Sequence, residues 1–241
     1  MPNPDPVDAE QDLIWDYFQN EAPESFEGSR ARLRYLAQKL NRSQVVLNIG
    51  CGSGIFEKLA LAQGVEIYSL DPSERSIQHL REALGLGDRA RVGYIQALPF
   101  SDSHFDVAVI TEVLEHLSPS VMVAGLAEIR RVLKHGGRIL GTVPSRENLK
   151  EQVVVCPGCG KRFHKWGHEQ SFDAERMQRI LAEHFDAVRI VERAFISWAA
   201  LNWKGKSAAV LKLMLWKLGV HGSNENLVFE GVKSDQGSAR K

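Results

Sequence analysis

The stretch VVLNIGCGSG at 45–54 limits the possible folds of this chain more than any other segment. A short apolar run rich in β-branched residues suits a strand buried on both faces of a parallel sheet. Glycines 50, 52 and 54 then let the backbone turn tightly and approach a ligand with no Cβ in the way. The segments that follow alternate. A helix is expected over 53–62, a strand over VEIYSL at 65–70, a helix over 73–84, and strands at RVGYI (91–95) and DVAVI (106–110). A helix over 119–134 is stopped by Gly136 and Gly137, and RILGTV at 138–143 is the next strand. Residues 173–184 form an amphipathic helix, DAVRIVE at 186–192 another strand, and NLVFEGVK supplies the last. Such alternation means an α/β domain around a mainly parallel sheet. A polar arm and a helix over 29–40 occupy residues 1–40, and 41–241 form the main domain.

At 241 residues the chain can bury one sizeable core with an appendage. Lys plus Arg equals Asp plus Glu at 30 each, which removes the basic excess expected of a bulk nucleic-acid binder. The opening MPNPDPVDAEQD lacks the basic start and apolar centre of a signal peptide, and no apolar run is long enough to cross a bilayer. Three cysteines, Cys51, Cys156 and Cys159, make no disulfide framework. A reducing cytoplasm is therefore the expected location.

Two segments break the alternation. The first, 145–170, contains CPGCGKRFHKWGH at 156–168. Cys156 and Cys159 sit at knuckle spacing, with His164 and His168 placed to complete a tetrahedral zinc site. An unmetallated CxxC is the competing reading, and His168 can instead face an active site. The second segment, 193–224, is a helical insertion carrying SAAVLKLMLWKLG, whose apolar residues surround nearly the whole helix. Such a helix packs on the domain or on a partner copy, as in a homodimer, or lies on a membrane surface through 207–218.

The glycine loop is not a dinucleotide fingerprint, because the third glycine position of G-x-G-x-x-G is Ile55. It suits a cofactor without a pyrophosphate. Asp71, at the end of the second strand, can accept hydrogen bonds from both hydroxyls of a ribose.

VVLNIGCGSG, YSLDPSERSIQHLRE, QALPFSDSHFDVAVITEVLEHL and IRRVLKHGGRILGTVPS, in that order, resemble a class I S-adenosylmethionine-dependent methyltransferase. The similarity is to the group (methyltransferase types 11 and 12) that includes ubiquinone-pathway and sugar-modifying enzymes. The resemblance covers roughly residues 40–192. It implies a Rossmann-like, mainly parallel seven-stranded sheet flanked by helices, with a small metal-binding insertion after strand 5 and a helical insertion before the last strand. It implies that Gly50, Cys51, Gly52 and Gly54 lie against the methionine part of S-adenosylmethionine. Asp71 and Pro72 then meet the ribose, Gln96, Ala97 and Leu98 border the adenine, and Thr111 lies at the mouth. Asn48 departs from the pattern, since the family usually has an acid there.

TEVLEH at 111–116 follows the fourth strand, and Glu112, Glu115 and His116 can gather on one helical turn. In ubiquinone-pathway O-methyltransferases and small-RNA ribose methyltransferases a similar E-x-x-E-H binds a divalent metal, and His168 matches the later histidine of the RNA enzymes. His116 is also a candidate base or acceptor contact. The sequence thus points to methylation, O-directed, of a small molecule, a glycan or a lipid-linked intermediate. The alternatives are an RNA methyltransferase and a catalytically silent interaction module with zinc.

Overall fold

The computed structural model describes residues 6–22, 28–196, 198, 201–217 and 225–234. Parts of the expected N-terminal arm and of the helical insertion (1–5, 23–27, 197, 199–200 and 218–224) lie outside the described residues.

Seven strands form one sheet in the order β3-β2-β1-β4-β5-β9-β8: β1 Val45–Ile49, β2 Glu66–Asp71, β3 Ala90–Val92, β4 Phe105–Thr111, β5 Leu133–Pro144, β8 Asp186–Arg193 and β9 Asn226–Val232. Neighbours β3, β2, β1, β4 and β5 run parallel, and β9 alone runs against its neighbours β5 and β8. The alternating side chains of β1 show why both faces are covered. Leu47 and Ile49 join a cluster with Met122, Leu126 and Ile129 of α5 (Pro119–Val132) and with Met177 and Leu181 of α6 (Ala174–His184). Val46 turns the other way, towards Leu33 and Leu36 of α2 (Arg30–Ala37), Phe56 and Ala60 of α3 (Ile55–Ala62), and Ile77 and Leu80 of α4 (Glu74–Ala83). Fully burying a side chain such as Phe56 contributes roughly 1.5–3 kcal/mol. Asn48, 1% exposed, shares the side of Val46 and is the polar residue of this strand.

Local signals set the boundaries. Ser73 accepts a hydrogen bond from Ser76 N–H to cap α4, Asp173 does so from Arg176 N–H for α6, and Pro119 follows the Ser118 cap of α5. The expected end of α5 at 134 is too late. Leu133 is already extended (φ −72°, ψ 139°) and pairs with Phe105, so β5 begins before the two glycines rather than after them.

Both interruptions adopt structure of their own. After β5, strands β6 (Val153–Val155) and β7 (Arg162–His164) make a separate antiparallel hairpin with the cysteines at its tip. Before β9 stands α7 (Trp203–Lys217), on which Trp203, Leu211 and Met214 are exposed. None of the described helices is long and apolar enough to cross a membrane.

A further helix, α1 (Pro6–Asn20), occupies the segment expected to be a polar arm. Three of its side-chain hydrogen bonds reach the segments that follow β2 and β3. Tyr94 Oη donates to Asp12 (2.7 Å), Ser73 Oγ to Asp16 (3.1 Å) and Ser76 Oγ to Gln19 (2.6 Å).

Candidate active site

A cavity of about 690 Å³ opens where β1, β2 and β4 end, the crevice in which open parallel sheets bind ligands. Its floor is the glycine loop. Gly50 (φ +82°) hydrogen-bonds through its N–H to Leu70 O, and a Cβ there would stand 2.5 Å from Val113 Cγ2. Gly52 also has positive φ, but nothing lies within 4 Å of where its Cβ would be, so its backbone is open to the cavity it lines.

Two carboxylates brace this loop from below. Asp71, 1% exposed, accepts from Cys51 N–H at 2.8 Å and from Ser73 N–H at 3.0 Å. Burial pushes its pKa up, and those backbone donors pull against the rise. Glu57 of α3 is fully buried behind Asn48. Its Oε1 accepts from Asn48 Nδ2 (2.7 Å) and Ser69 Oγ (2.8 Å), and burial raises its pKa to about 6. The asparagine's amide nitrogen is thereby engaged, and its Oδ1 is buried with no hydrogen-bond partner. Gln96 Oε1, on the turn after β3, is likewise buried and unpartnered. Both residues line the cavity. The turn is held in place because Gly125 lets α5 press on it: an added Cβ would meet Ile95 Cγ1 at 2.8 Å.

Of the residues expected to hold a cofactor, Asn48, Gly50, Cys51, Gly52, Asp71, Pro72, Gln96 and Thr111 line the cavity. Gly54, Ala97 and Leu98 do not reach its lining. Gly54 instead caps α3 in the left-handed region (φ +74°), and Leu98 N–H is bonded to Glu128.

At the other end of the cavity stand Glu112, Glu115 and His116. The expectation that they share one helical turn is wrong. Glu112 adopts φ +53°, and only 114–116 form a short 3-10 turn. This turns the Glu112 carboxylate towards Arg32 (3.4 Å), Thr142 Oγ1 (2.9 Å) and Asn226 Nδ2 (3.1 Å). Glu115 is 1% exposed and both its carboxylate oxygens lack partners. Burial, with the nearby Glu112 charge adding to it, holds its pKa well above the usual carboxylate range. His116 Nδ1 receives Trp15 Nε1–H at 3.2 Å, and the two rings meet edge to face. Enclosure and the neighbouring His168 drive its pKa down to about 3, so the ring is neutral.

The rim combines α1 with the segment after β5. Phe18 and Trp166 rings approach to 4.6 Å, and the rings of His116 and His168 to 4.6 Å. His168 Nδ1 lies 2.5 Å from Glu147 Oε2, and His164 stacks on His168 at 4.6 Å and 21°.

Comparison with known proteins agrees with this geometry. A family model described as a methyltransferase domain matches residues 47–141. A methyltransferase of Geobacillus sp. (strain WCH70) is 30% identical over 161 residues, 64% of this chain and 75% of that protein. The chain belongs to the S-adenosylmethionine-dependent methyltransferases. Malonyl-[acyl-carrier protein] O-methyltransferase of Erwinia pyrifoliae is 38% identical over 116 residues, covering 48% of this methyltransferase and 43% of the relative, so the match spans less than half of the relative's own length. Two solved structures share the fold. One is 1,6-didemethyltoxoflavin-N1-methyltransferase of Burkholderia thailandensis with its substrate and S-adenosylhomocysteine bound (TM-score 0.64, 19% identity, 98% of this chain and 93% of that one). The other is a Haloferax volcanii methyltransferase solved in complex with the Trm112 activator (TM-score 0.65, 18% identity, 95% and 98%).

The zinc site expected in the methyltransferase's insertion does not assemble as a Cys2His2 set. Among the described residues, neither cysteine belongs to any group of three side chains able to share an ion. Cys156 and Cys159 lie at the hairpin tip, where N–H groups of Cys159 and Gly158 draw the Cys156 pKa down. His164 leaves from the far end of β7, opposite Val153, and turns into the domain. The histidines gather with carboxylates instead, as Glu147–His164–His168 and as Glu115–His116–His168. The reason is register: the strand that separates Cys159 from His164 carries the histidine to the base of the hairpin. Glu57, Trp15, Glu147 and Trp166 were not among the sequence candidates. Glu57 alone had a local signal, being an acid on the apolar stripe of its helix.

Proposed function

We propose that this chain transfers the methyl group of S-adenosylmethionine to a hydroxyl of a small acceptor admitted between α1 and the segment after β5. The observation that carries the reading is the pair of buried, unpartnered acceptors in one cavity, Asn48 Oδ1 and Gln96 Oε1. The cofactor bears donors suited to both, an ammonium on its methionine part and an amino group on adenine. Asp71 suits the ribose hydroxyls and the open Gly52 backbone suits the methionine part. Ala97 and Leu98 frame the adenine side, and Gly54 anchors the loop to α3. When bound, S-adenosylmethionine supplies a methyl already activated by its sulfonium, so the chain's task is alignment and exclusion of water.

Asn48 does not argue for a silent fold on this reading. Glu57 holds the amide so that its oxygen stays available, replacing the charge the family usually carries at 48 with an oriented dipole. His116 is a neutral ring that orients the acceptor, since a group with a pKa near 3 is a weak base. Glu115, whose pKa burial raises, faces the same end of the cavity. The RNA reading through a Glu-x-x-Glu-His metal site is disfavoured because Glu112 already serves Arg32, Thr142 and Asn226. The exposed Trp203, Leu211 and Met214 on α7 support a lipid-linked acceptor reached from a membrane surface. Calorimetry with S-adenosylmethionine tests the core of the reading: absence of binding at millimolar cofactor ends it.

A further inference from the structure

Resting on the methyl-transfer reading, we propose that His168 is the general base that deprotonates the acceptor hydroxyl, with Glu147 as the residue that positions it. Glu147 Oε2 stands 2.5 Å from His168 Nδ1. A carboxylate can only accept there, so Nδ1 carries the ring proton and Nε2 keeps its lone pair. Both residues line the cavity. A carboxylate on one imidazole nitrogen and a free second nitrogen facing a substrate space form the arrangement that prepares a histidine to take a proton.

The surroundings fix the ring. His164 lies flat against it at 4.6 Å, and His164 Nδ1 accepts the backbone N–H of His168 at 3.1 Å. That bond leaves the proton of His164 on Nε2, which is buried without a hydrogen-bond partner and lies 3.6 Å from the second oxygen of Glu147. Glu147 thus faces two imidazoles, donating to neither and receiving from His168. His164 has no lone pair left for an ion in this arrangement, so the Glu147–His164–His168 group works as a proton-handling cluster. The groups facing His168 are Glu147 and His164 from its own segment, and Glu115 and His116 from the turn after β4. Burial holds the Glu115 carboxyl above its ordinary range and the His116 ring below its own, and Glu147 is the carboxylate in hydrogen-bond contact with His168.

In the step itself the acceptor O–H bond breaks and its proton forms an N–H bond at His168 Nε2. The electron pair stays on the oxygen, which becomes the nucleophile. The imidazolium formed is stabilised by Glu147 and returns its proton to solvent after transfer. Glu147 changes neither its bonds nor its charge.

The test is long-range 1H–15N NMR of the full chain labelled with 15N-histidine, His168 being assigned by the resonance lost in His168→Asn. The expected spectrum shows His168 in the Nδ1–H tautomer with an unprotonated Nε2, and Glu147→Leu, which removes the acceptor, shifts it towards the Nε2–H form. An Nε2–H tautomer in the unaltered chain overturns the proposal, as does a Glu147→Leu spectrum identical to it. So does added Zn2+ that shifts Nε2 of His168 at one equivalent, since the nitrogen is then a ligand. Calorimetry with S-adenosylmethionine on the same samples separates the two claims. Cofactor binding with the wrong tautomer sinks the base alone, and absent binding sinks the reading beneath it.

Discussion

Trp15 on α1 donates its indole N–H to Nδ1 of His116 across 101 residues of chain, at 3.2 Å. Indole is a donor only, while the Gly167 carbonyl 3.3 Å from the same Nδ1 is an acceptor only, so Trp15 competes with that carbonyl and favours the His116 tautomer with its proton on Nε2. The first helix of the chain therefore sets the chemistry of a side chain at the opposite wall. Trp15→Phe keeps the edge-to-face packing and removes the donor. The expected outcome is a mixed His116 tautomer in 15N NMR, with cofactor affinity changed less than threefold.

Asn48→Ala removes the unpartnered oxygen assigned to the cofactor's ammonium and leaves Glu57 buried with one donor fewer. A hydrogen bond to a charged group contributes about 1.5–3 kcal/mol, so calorimetry is expected to show S-adenosylmethionine binding roughly ten- to a hundredfold weaker. Binding within twofold of the unaltered chain would remove Asn48 from the site.

Glu57 and His116 give stability opposite dependences on pH. Glu57 is raised from 4.5 to about 6 in the folded chain, so its contribution is full below 4.5 and is lost as pH rises through 6. The shift corresponds to about 2 kcal/mol. His116 is lowered from 6.5 to about 3, so its contribution is full above 6.5 and is lost as pH falls towards 3, by up to about 1.4 kcal/mol per pH unit. Chemical unfolding at pH 4.5, 5.5 and 7 is expected to show Glu57→Gln losing the acid-side gain and His116→Gln losing the acid-side penalty. Equal pH profiles for all three proteins contradict both assignments.

Gly54→Ala strains a residue at φ +74° and drives its Cβ to 2.7 Å from Leu80 Cδ2, a buried side chain. Left-handed strain for a non-glycine residue costs on the order of 1–2 kcal/mol before any clash. Thermal unfolding is expected to fall by several degrees, while Gly52→Ala, strained at φ +50° but free of any clash, falls less and loses cofactor affinity.

Arg131 braces the turn that carries Gln96. Its guanidinium donates to Glu128, Asp102, Leu98 O and Phe100 O, and Glu128 in turn accepts from Leu98 N–H. Arg131→Ala is expected to cost about 1 kcal/mol by urea unfolding, since its acceptors are part-buried or, for Asp102, exposed. Lys does not restore it, because a single ammonium cannot serve four acceptors in that plane.

The cofactor half of this molecule was legible because its constraints are local. A strand, a glycine turn and an acid at the next strand end are contiguous words in the sequence, and alternating Val46, Leu47 and Ile49 already imply two covered faces. At the other end of the cavity Glu112, Glu115, His116 and His168 were legible, but their partners were not, because these come from far apart. Nothing near Trp15 indicates His116, and nothing in SRENLK marks Glu147 as the partner of a histidine 21 residues away. The left-handed turn at Glu112 undid the helical-turn reading of TEVLEH, and acids at φ above zero carry no sequence signal strong enough to foresee it. The zinc expectation failed on register: the spacing of CPGCGKRFHKWGH fits an ion only when the chain loops back, and here it runs on as a strand.

The segment after β5 contributes Glu147, Trp166 and His168 to the rim, yet its strands form a hairpin apart from the main sheet. On the proposed function, methyl donor and methyl receiver are thus held by separate lengths of chain, as a socket and a replaceable bit. Exchanging residues 145–168 for a different insert is then expected to change the acceptor while leaving β1, β2 and the glycine loop untouched.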